Sequence, residues 1–345
     1  VSLITPTSIP MESQAANLSS LAHGGIAQHG PPYAPCLPPL ERPLFTQTFT
    51  LPGGFVDEEG VIHREVELAP VTGFEEELLD TVGPSGRSAP VVTALLARCL
   101  KRVGTVTAVT NGLVRNLLVG DREFLMLRLR ELALGKELKA MIVCGDPKCA
   151  QSMDIVLNLH DLIPAAKPVD RRVFQLDLSE GEQKFAFEFR LPTGADQEAS
   201  ADWPGGDAGA AINRLLANMI VRINDNRFVD DQAVAMLPQP VLQGLERRIE
   251  ELVPLAEIDL NVKCVECGRQ SVAQLDVTWL FLQELLLSRS VLEREVHCIA
   301  WHYHWPEREI LSLTRQKRRR YLELIQGDTN VALFTAPTVA MLQAQ

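Results

Sequence analysis

Seven cysteines punctuate the chain, at Cys36, Cys99, Cys144, Cys149, Cys264, Cys267 and Cys298. Four of them stand in two close pairs. Cys144-Gly-Asp-Pro-Lys-Cys149 is a CxxxxC run, and Cys264-Val-Glu-Cys267-Gly268 is a CxxC run closed by glycine. Thiolates are soft ligands, and two pairs complete the tetrahedral set that Zn2+ accepts as a closed structural site. Gly145-Asp146-Pro147 and Gly268 supply turns that aim backbone amides inward at the sulfurs. The flanks repeat as well. Leu138–Val143 enters the first pair, and Met153, Ile155, Val156 and Leu157 leave it. Ile258–Val262 enters the second, and Val272, Leu275 and Val277 leave it. Strand, knuckle, strand therefore occurs twice, over 138–159 and 257–277. This pattern predicts a discontinuous zinc ribbon with Cys144, Cys149, Cys264 and Cys267 as its ligands. The metal would close a gap of 114 residues, which local contacts alone close only at entropic cost. The plain alternative is four ordinary buried thiols. A CxxC redox site is a weaker rival, because it needs a helix directly after the motif and Arg269–Val277 reads as strand.

Other chemistry is sparse. His297, His302 and His304 lie among Trp301, Tyr303 and Trp305, but no HExxH accompanies them. Ring packing where two helices meet is the better reading. Arg315, Lys317, Arg318, Arg319 and Arg320 form the one strong basic cluster. It reads either as a patch for phosphate, nucleic acid or an acidic protein surface, or as a solvated helix face. Asp202 and Asp207 sit in a Gly-rich stretch without EF-hand spacing. There is no GxxxxGK[ST], no GxGxxG between strand and helix, and no GxSxG. No catalytic constellation assembles, and the expectation is a protein that is not an enzyme and has no small-molecule substrate.

The elements that must position the cysteines follow from periodicity. Residues 1–42 hold seven prolines and three glycines with no helical or strand period, and are expected to be a disordered tail. Phe45–Leu51 and Val61–Leu68 read as a hairpin, with Gly53-Gly54 and Glu58-Glu59-Gly60 as turns between them. Thr72-Gly73-Phe74-Glu75 is a capping box for a helix to Val82. Further helices are expected at Pro90–Val103, Asn111–Leu118 and Arg122–Leu134. Val173–Leu178 and Lys184–Leu191 read as a second hairpin, with Phe185, Phe187 and Phe189 on one face. Thr193–Asp207 reads as loop. Helices follow at about 208–223, 230–236 and 239–252, and two more close the fold at 279–303 and 306–326. The fold class is α+β: mainly helical, with short β-hairpins and the discontinuous ribbon. The expected domain spans 43–327, with helical halves 70–137 and 208–256 plus 279–326, knuckles 138–159 and 257–277, and hairpin 173–191. Residues 328–345 are expected to fray.

The 345 residues carry 33 basic and 44 acidic side chains, a net charge of −11. That balance disfavours a free-standing nucleic-acid binder. No run approaches the ~18 apolar residues of a membrane span, and the first cation is Arg42, so no secretory signal is read. The expected location is the cytoplasm, until the protein meets a partner. Val1 in place of Met is compatible with an alternative start codon, with Met11 as a second candidate.

Short, dispersed motifs carry a resemblance. They run from Leu51-Pro-Gly-Gly-Phe through Gly60-Val-Ile-His63-Arg64 to Leu68, Thr72-Gly73 and Glu75-Glu76. They continue with Ala94–Cys99, Gly104, Leu118-Val-Gly-Asp-Arg-Glu123-Phe-Leu-Met-Leu-Arg-Leu-Arg130, the cysteine pairs and Phe189-Arg-Leu-Pro-Thr-Gly194-Ala-Asp196. Ala300-Trp-His-Tyr-His-Trp305, Glu309-Ile-Leu and Arg319-Arg320-Tyr321 complete them. Together they resemble the T-even-phage baseplate protein family, which includes hub assembly proteins of contractile phages and relatives in bacterial contractile injection systems. The resemblance implies a non-enzymatic assembly factor (a hub assembly chaperone) or a component of a phage tail or injection particle. It implies baseplate and hub proteins as partners, with Cys144, Cys149, Cys264 and Cys267 as ligands of a structural Zn2+. The Pro-rich start is not part of the family pattern. Within this reading, Arg315–Arg320 and Trp301–Trp305 are the candidate contact and support regions. The alternative is a zinc-ribbon nucleic-acid-binding protein using the basic helix 315–320.

Overall fold

The computed structural model describes residues 45–82, 88–162, 168–201, 208–253, 258–286, 289–329 and 340–343. The expected tail 1–42 lies outside them, as do Asp202, Asp207 and most of the expected C-terminal fray. Strands β1 (Gln47–Val56) and β2 (Ile62–Leu68) form an antiparallel hairpin. Helices α1 (Gly73–Val82) and α2 (Ser88–Cys99) follow. Strand β3 (Leu100–Val103) then returns to pair with β2, and α3 (Asn111–Arg115) and α4 (Val119–Leu134) complete the group. The expected helix Pro90–Val103 is thus cut short. Its last four residues close a three-stranded sheet, where Leu100 and Val103 face Leu68 and Val66 in the core.

Gly53 and Gly54 are not the turn between strands that their type suggested. Both lie inside β1, at an irregularity in its register. Their N–H groups donate to the buried Asp121 carboxylate at 2.7 and 2.8 Å. A Cβ on Gly53 would stand 2.5 Å from Leu118 and 2.7 Å from Asp121, so only glycine lets β1 close on α4.

Next come β4 (Glu137–Val143), β5 (Ser152–Asn158) and the short α5 (Leu159–Leu162). The first group of elements then repeats. Strands β6 (Val173–Glu180) and β7 (Gln183–Arg190) form a hairpin, followed by α6 (Gly194–Ala201) and α7 (Ala208–Met219). Strand β8 (Ile220–Ile223) pairs with β7, and α8 (Asp231–Ala235) and α9 (Gln239–Leu252) follow. Phe187 and Phe189 face Ile223 and Ile220 at the same offsets at which Val66 and Leu68 face Val103 and Leu100. The turn after β3 places Gly104 at φ +57°, and the turn after β8 places Asn224 at φ +51°. Gly104 cannot be larger, because a Cβ would meet His63 at 2.1 Å. Asn224 tolerates the left-handed region and uses its amide to bind the backbone of Ala186 and Lys184.

Two segments differ here from the sequence reading. Residues 220–223 are strand rather than helix, for the same reason as 100–103. Residues 194–201 are helix rather than loop: Thr193 and Asp196 form a capping box at 2.8 Å, and Arg190 holds the Asp196 carboxylate from the other side at 2.6 Å.

Strands β9 (Ile258–Lys263) and β10 (Gln270–Leu275) form a separate two-stranded sheet. A third copy of the helical elements, without the intervening strand, comprises α10 (Val277–Leu286), α11 (Arg289–Tyr303), α12 (Glu307–Leu311) and α13 (Arg315–Thr329). The last long helix expected from sequence, 306–326, is therefore broken in two at Ser312, and of the other, 279–303, α10 and α11 are described on either side of residues 287–288. Strand β11 (Ala340–Gln343) adds in parallel to β4, so part of the expected fray is ordered strand. The architecture is mixed helix and strand with small, mostly antiparallel sheets. The largest apolar cluster joins the first repeat to α10, and the second repeat has a core of its own.

Candidate metal centre

The two knuckles meet. Strand β4 turns Leu138, Ala140 and Ile142 inward, and β10 turns Ala273 and Leu275 inward. These residues share one apolar cluster with Cys144 and Cys264. The hairpins belong to different sheets, so packing and the four sulfurs join them rather than a continuous ladder. In the first knuckle the Asp146 carboxylate accepts the Lys148 N–H at 2.9 Å, and its carbonyl accepts from Cys149 and Ala150. In the second, Gly268 at φ +72° donates to the Cys264 carbonyl at 3.0 Å. Both are tight turns that place two thiols on one side.

The four sulfurs lie within 4.8 Å of one another. Cys144 and Cys267 are 3.6 Å apart, and Cys149 and Cys264 are 3.8 Å apart. A disulfide needs about 2.05 Å, and all four cysteines are free. Four sulfurs at about 2.3 Å from a tetrahedral Zn2+ are about 3.8 Å from each other, so the observed spacing fits the ion. Their acidities are unequal. The Cys267 backbone N–H, with that of Glu266, lowers Cys264 to about 7. Cys149 rises to about 12: the Gln151 N–H that favours its thiolate is outweighed by burial and by the neighbouring thiols. A cation at the centre is what would hold all four as thiolates at once. Cys144 and Cys264 are buried while Cys267 is exposed, which leaves one side for metal entry. Four protein ligands leave no open position, so such a site cross-links and does not catalyse.

The histidine segment makes no second centre among the described residues. Tyr303, Trp305 and Tyr321 stack into a ring cluster with centroids 5.0–5.7 Å apart. His302 Nδ1 lies 2.9 Å from the Cys298 carbonyl of its own helix. Ring packing between helices is thus the observed arrangement, with Trp301 left exposed.

The basic cluster is not one surface, which corrects the contact region expected from sequence. Arg315 and Arg318 are buried, and only Lys317, Arg319 and Arg320 are exposed. Arg318 bonds Glu76 at 2.7 Å, Glu295 at 2.8 Å and the Leu313 carbonyl at 2.8 Å. Both readings of the five cations, binding patch or solvated face, place them on the surface. The helical period instead sends positions 315 and 318 inward.

Sequence reasoning also missed the interior charges of α4. Arg122 is fully buried and bonds Gln197, Thr93 and the carbonyls of Val114 and Ala89. Arg130 pairs with Glu284 across to α10, both buried. The available signal was the repeat itself: both Arg122 and Arg318 are the fourth residue of a long helix that follows a short one.

Glu123 supplies a pH test of this interior. Burial raises its pKa to about 7; Asp276 adds to the shift, and the Thr278 hydroxyl bond opposes it. The native state therefore holds this proton where the unfolded chain has lost it. The stability that this confers is complete below the ordinary carboxylate range and is lost as pH rises through about 7. Glu123→Gln is expected to melt progressively above wild type as pH rises from 5 to 8, by about 2–4 °C at the upper end. A difference that stays constant with pH would remove the assignment.

No described helix is long and apolar enough to cross a membrane. A protein-family model described as T4 bacteriophage base plate protein matches residues 58–281, which include both knuckles, the second repeat and the first repeat after β1. No curated protein and no solved structure matches the chain. With that match over most of its length, the chain belongs to the T4 bacteriophage base plate protein family.

Proposed function

We infer that the protein is a non-enzymatic assembly factor or structural component of the baseplate hub in a contractile tail or injection system. It acts through protein–protein contacts, and the family match over residues 58–281 is the observation that carries this reading. The cysteine cluster supports a structural role for bound zinc. Cys144, Cys149, Cys264 and Cys267 would hold the ion, which would fix the first knuckle against the second and so set the orientation of the helical groups flanking them. Of the basic cluster, Lys317, Arg319 and Arg320 remain as candidate partner contacts. Nucleic-acid binding is the less favoured alternative, because two of its five cations are committed to the interior.

Deleting the gene is expected to yield tails without working baseplates, restored by the wild-type copy. Normal contractile tails in the deletion would refute the role. Immunoblotting of purified tails distinguishes a permanent component, which is present, from a transient factor, which is absent.

A further inference from the structure

Two of the three helical groups hold another group's helix start in the same way. In the first repeat the seat is made by α2, α3 and the start of α4. Thr193 bridges Leu118 there, the Val119 N–H donates to the Pro192 carbonyl at 2.9 Å, and the Gly194 N–H donates to the Leu117 carbonyl at 3.0 Å. Gln197, four residues after the cap, accepts from Arg122 at 3.0 Å. In the third group the seat is made by α11, α12 and the start of α13. Thr72 bridges Thr314, the Gly73 N–H donates to the Leu313 carbonyl at 3.3 Å, and Glu76, again four residues after its cap, pairs with Arg318 at 2.7 Å. The second repeat thus sits on the first, and the first on the third.

The corresponding seat of the second repeat, made by α7, α8 and the start of α9, receives no such bridge among the described residues. Leu117 is fully buried, whereas its counterpart Leu237 is only half-buried. The same holds for Thr93 and Asn213, and for Leu118 and Pro238. Pro238 does not block a bridge, because in the first repeat the bridging residue's own N–H is unused; the groups required are those of positions 237 and 239. The seat differs in charge. Leu242 stands where Arg122 and Arg318 stand. Two apolar residues flank it: Phe228 and Met236 are 92% and 87% exposed, at positions where the first repeat has the smaller or polar Ala108 and Asn116, which are likewise exposed beside their occupied seat. A second copy of this chain is a poor occupant, since its own Thr-Gly helix starts at 72–73 and 193–194 are already seated.

We propose that this vacant seat receives the N-terminal turn of a helix from another baseplate protein. The segment enters as an extended residue, is capped by Thr or Ser followed by Gly, and carries an apolar residue four positions after the cap, facing Leu242. The proposal rests on the assembly role above, but its first test is independent of it.

The probe is an acetylated peptide of residues 190–202 of this chain carrying Gln197→Leu, titrated against the full zinc-loaded protein. Saturable binding is expected, weakened at least tenfold when peptide position 197 is Glu and likewise by Leu237→Glu in the protein. The peptide variant keeps the test valid even if Leu237→Glu fails to fold. No saturable binding would overturn the proposal, and so would binding that appears only after removal of residues 1–44, because the chain's own tail would then be the occupant. In cells assembling tails, a photo-crosslinker at position 236 is expected to link within one turn of a Thr/Ser-Gly helix start in a different baseplate protein. Links confined to this chain or to a second copy would overturn the proposal while leaving the deletion phenotype intact.

Discussion

Arg318→Ala is expected to destabilise the protein by about 3–5 kcal/mol, enough to lower its melting temperature by about 10 °C. The guanidinium is fully buried and lies between Glu76 of α1 and Glu295 of α11. Both carboxylates are themselves 5% exposed or less. Removing the cation leaves two negative charges facing each other without water, and the Leu313 carbonyl loses the shorter of its two hydrogen bonds, keeping that from the Gly73 N–H. The loss reflects this stranded charge rather than the worth of the pair, so a combined change should recover much of it. Arg318→Met with Glu76→Gln and Glu295→Gln is expected to regain more than half of the stability. The second repeat shows that an apolar side chain suits this position, since Leu242 occupies it and is buried. Denaturant melts of the three proteins measure the effect. An unchanged midpoint for Arg318→Ala, with loss of partner binding alone, would return Arg318 to the surface role its sequence neighbours suggest.

Metal analysis of the purified protein is expected to find about one zinc per chain, absent from Cys267→Ser, whose melting temperature should fall by about 10 °C or more. The magnitude follows from topology. Cys149 and Cys264 are separated by 114 residues, and a cross-link closing a loop near that length stabilises by about 4–5 kcal/mol. His302→Ala should leave the zinc content unchanged, because that ring is engaged with the Cys298 carbonyl. Thiolates must lose protons to bind the ion, so acidification should release the metal. The acid side of the stability profile then falls with zinc loss, while the Glu123 proton gives the opposite slope through about pH 7. A chelator should reproduce the Cys267→Ser melt in wild type. Zinc-free wild-type protein melting as high as the loaded form would reduce the cluster to packed thiols.

The cysteine site was legible because its signal is local. Each knuckle is a short run of fixed spacing with apolar strands on both sides, and strand pairing follows from the tight turn between them. The first capping box, Thr72 with Glu75, was equally legible, since it lies within four residues and forms at 2.6 Å. The matching box at Thr193 was hidden by the Gly, Asp and Pro around it, although Asp does at 196 what Glu does at 75. The third strands β3 and β8 were read as helix ends because Leu100–Val103 and Ile220–Ile223 continue an apolar period. What converts them to strand is an open sheet edge supplied by a distant hairpin.

By itself, the amino-acid sequence determined which four residues can form a metal site, the mixed helix-and-strand class and the absence of a recognisable catalytic motif. Only the tertiary structure decided which charges lie inside. Arg315 and Arg319 are chemically alike at the sequence level, yet one is buried and the other exposed. The difference depends on which face of α13 meets α11 and α4. The tertiary structure also decided that three helical groups seat one another in a row and that, among the described residues, the row ends at the second repeat. A residue's type fixes what it can bond. Its partner, as between Glu76 and Arg318 at 242 residues' separation, depends on chain closure that no local period encodes.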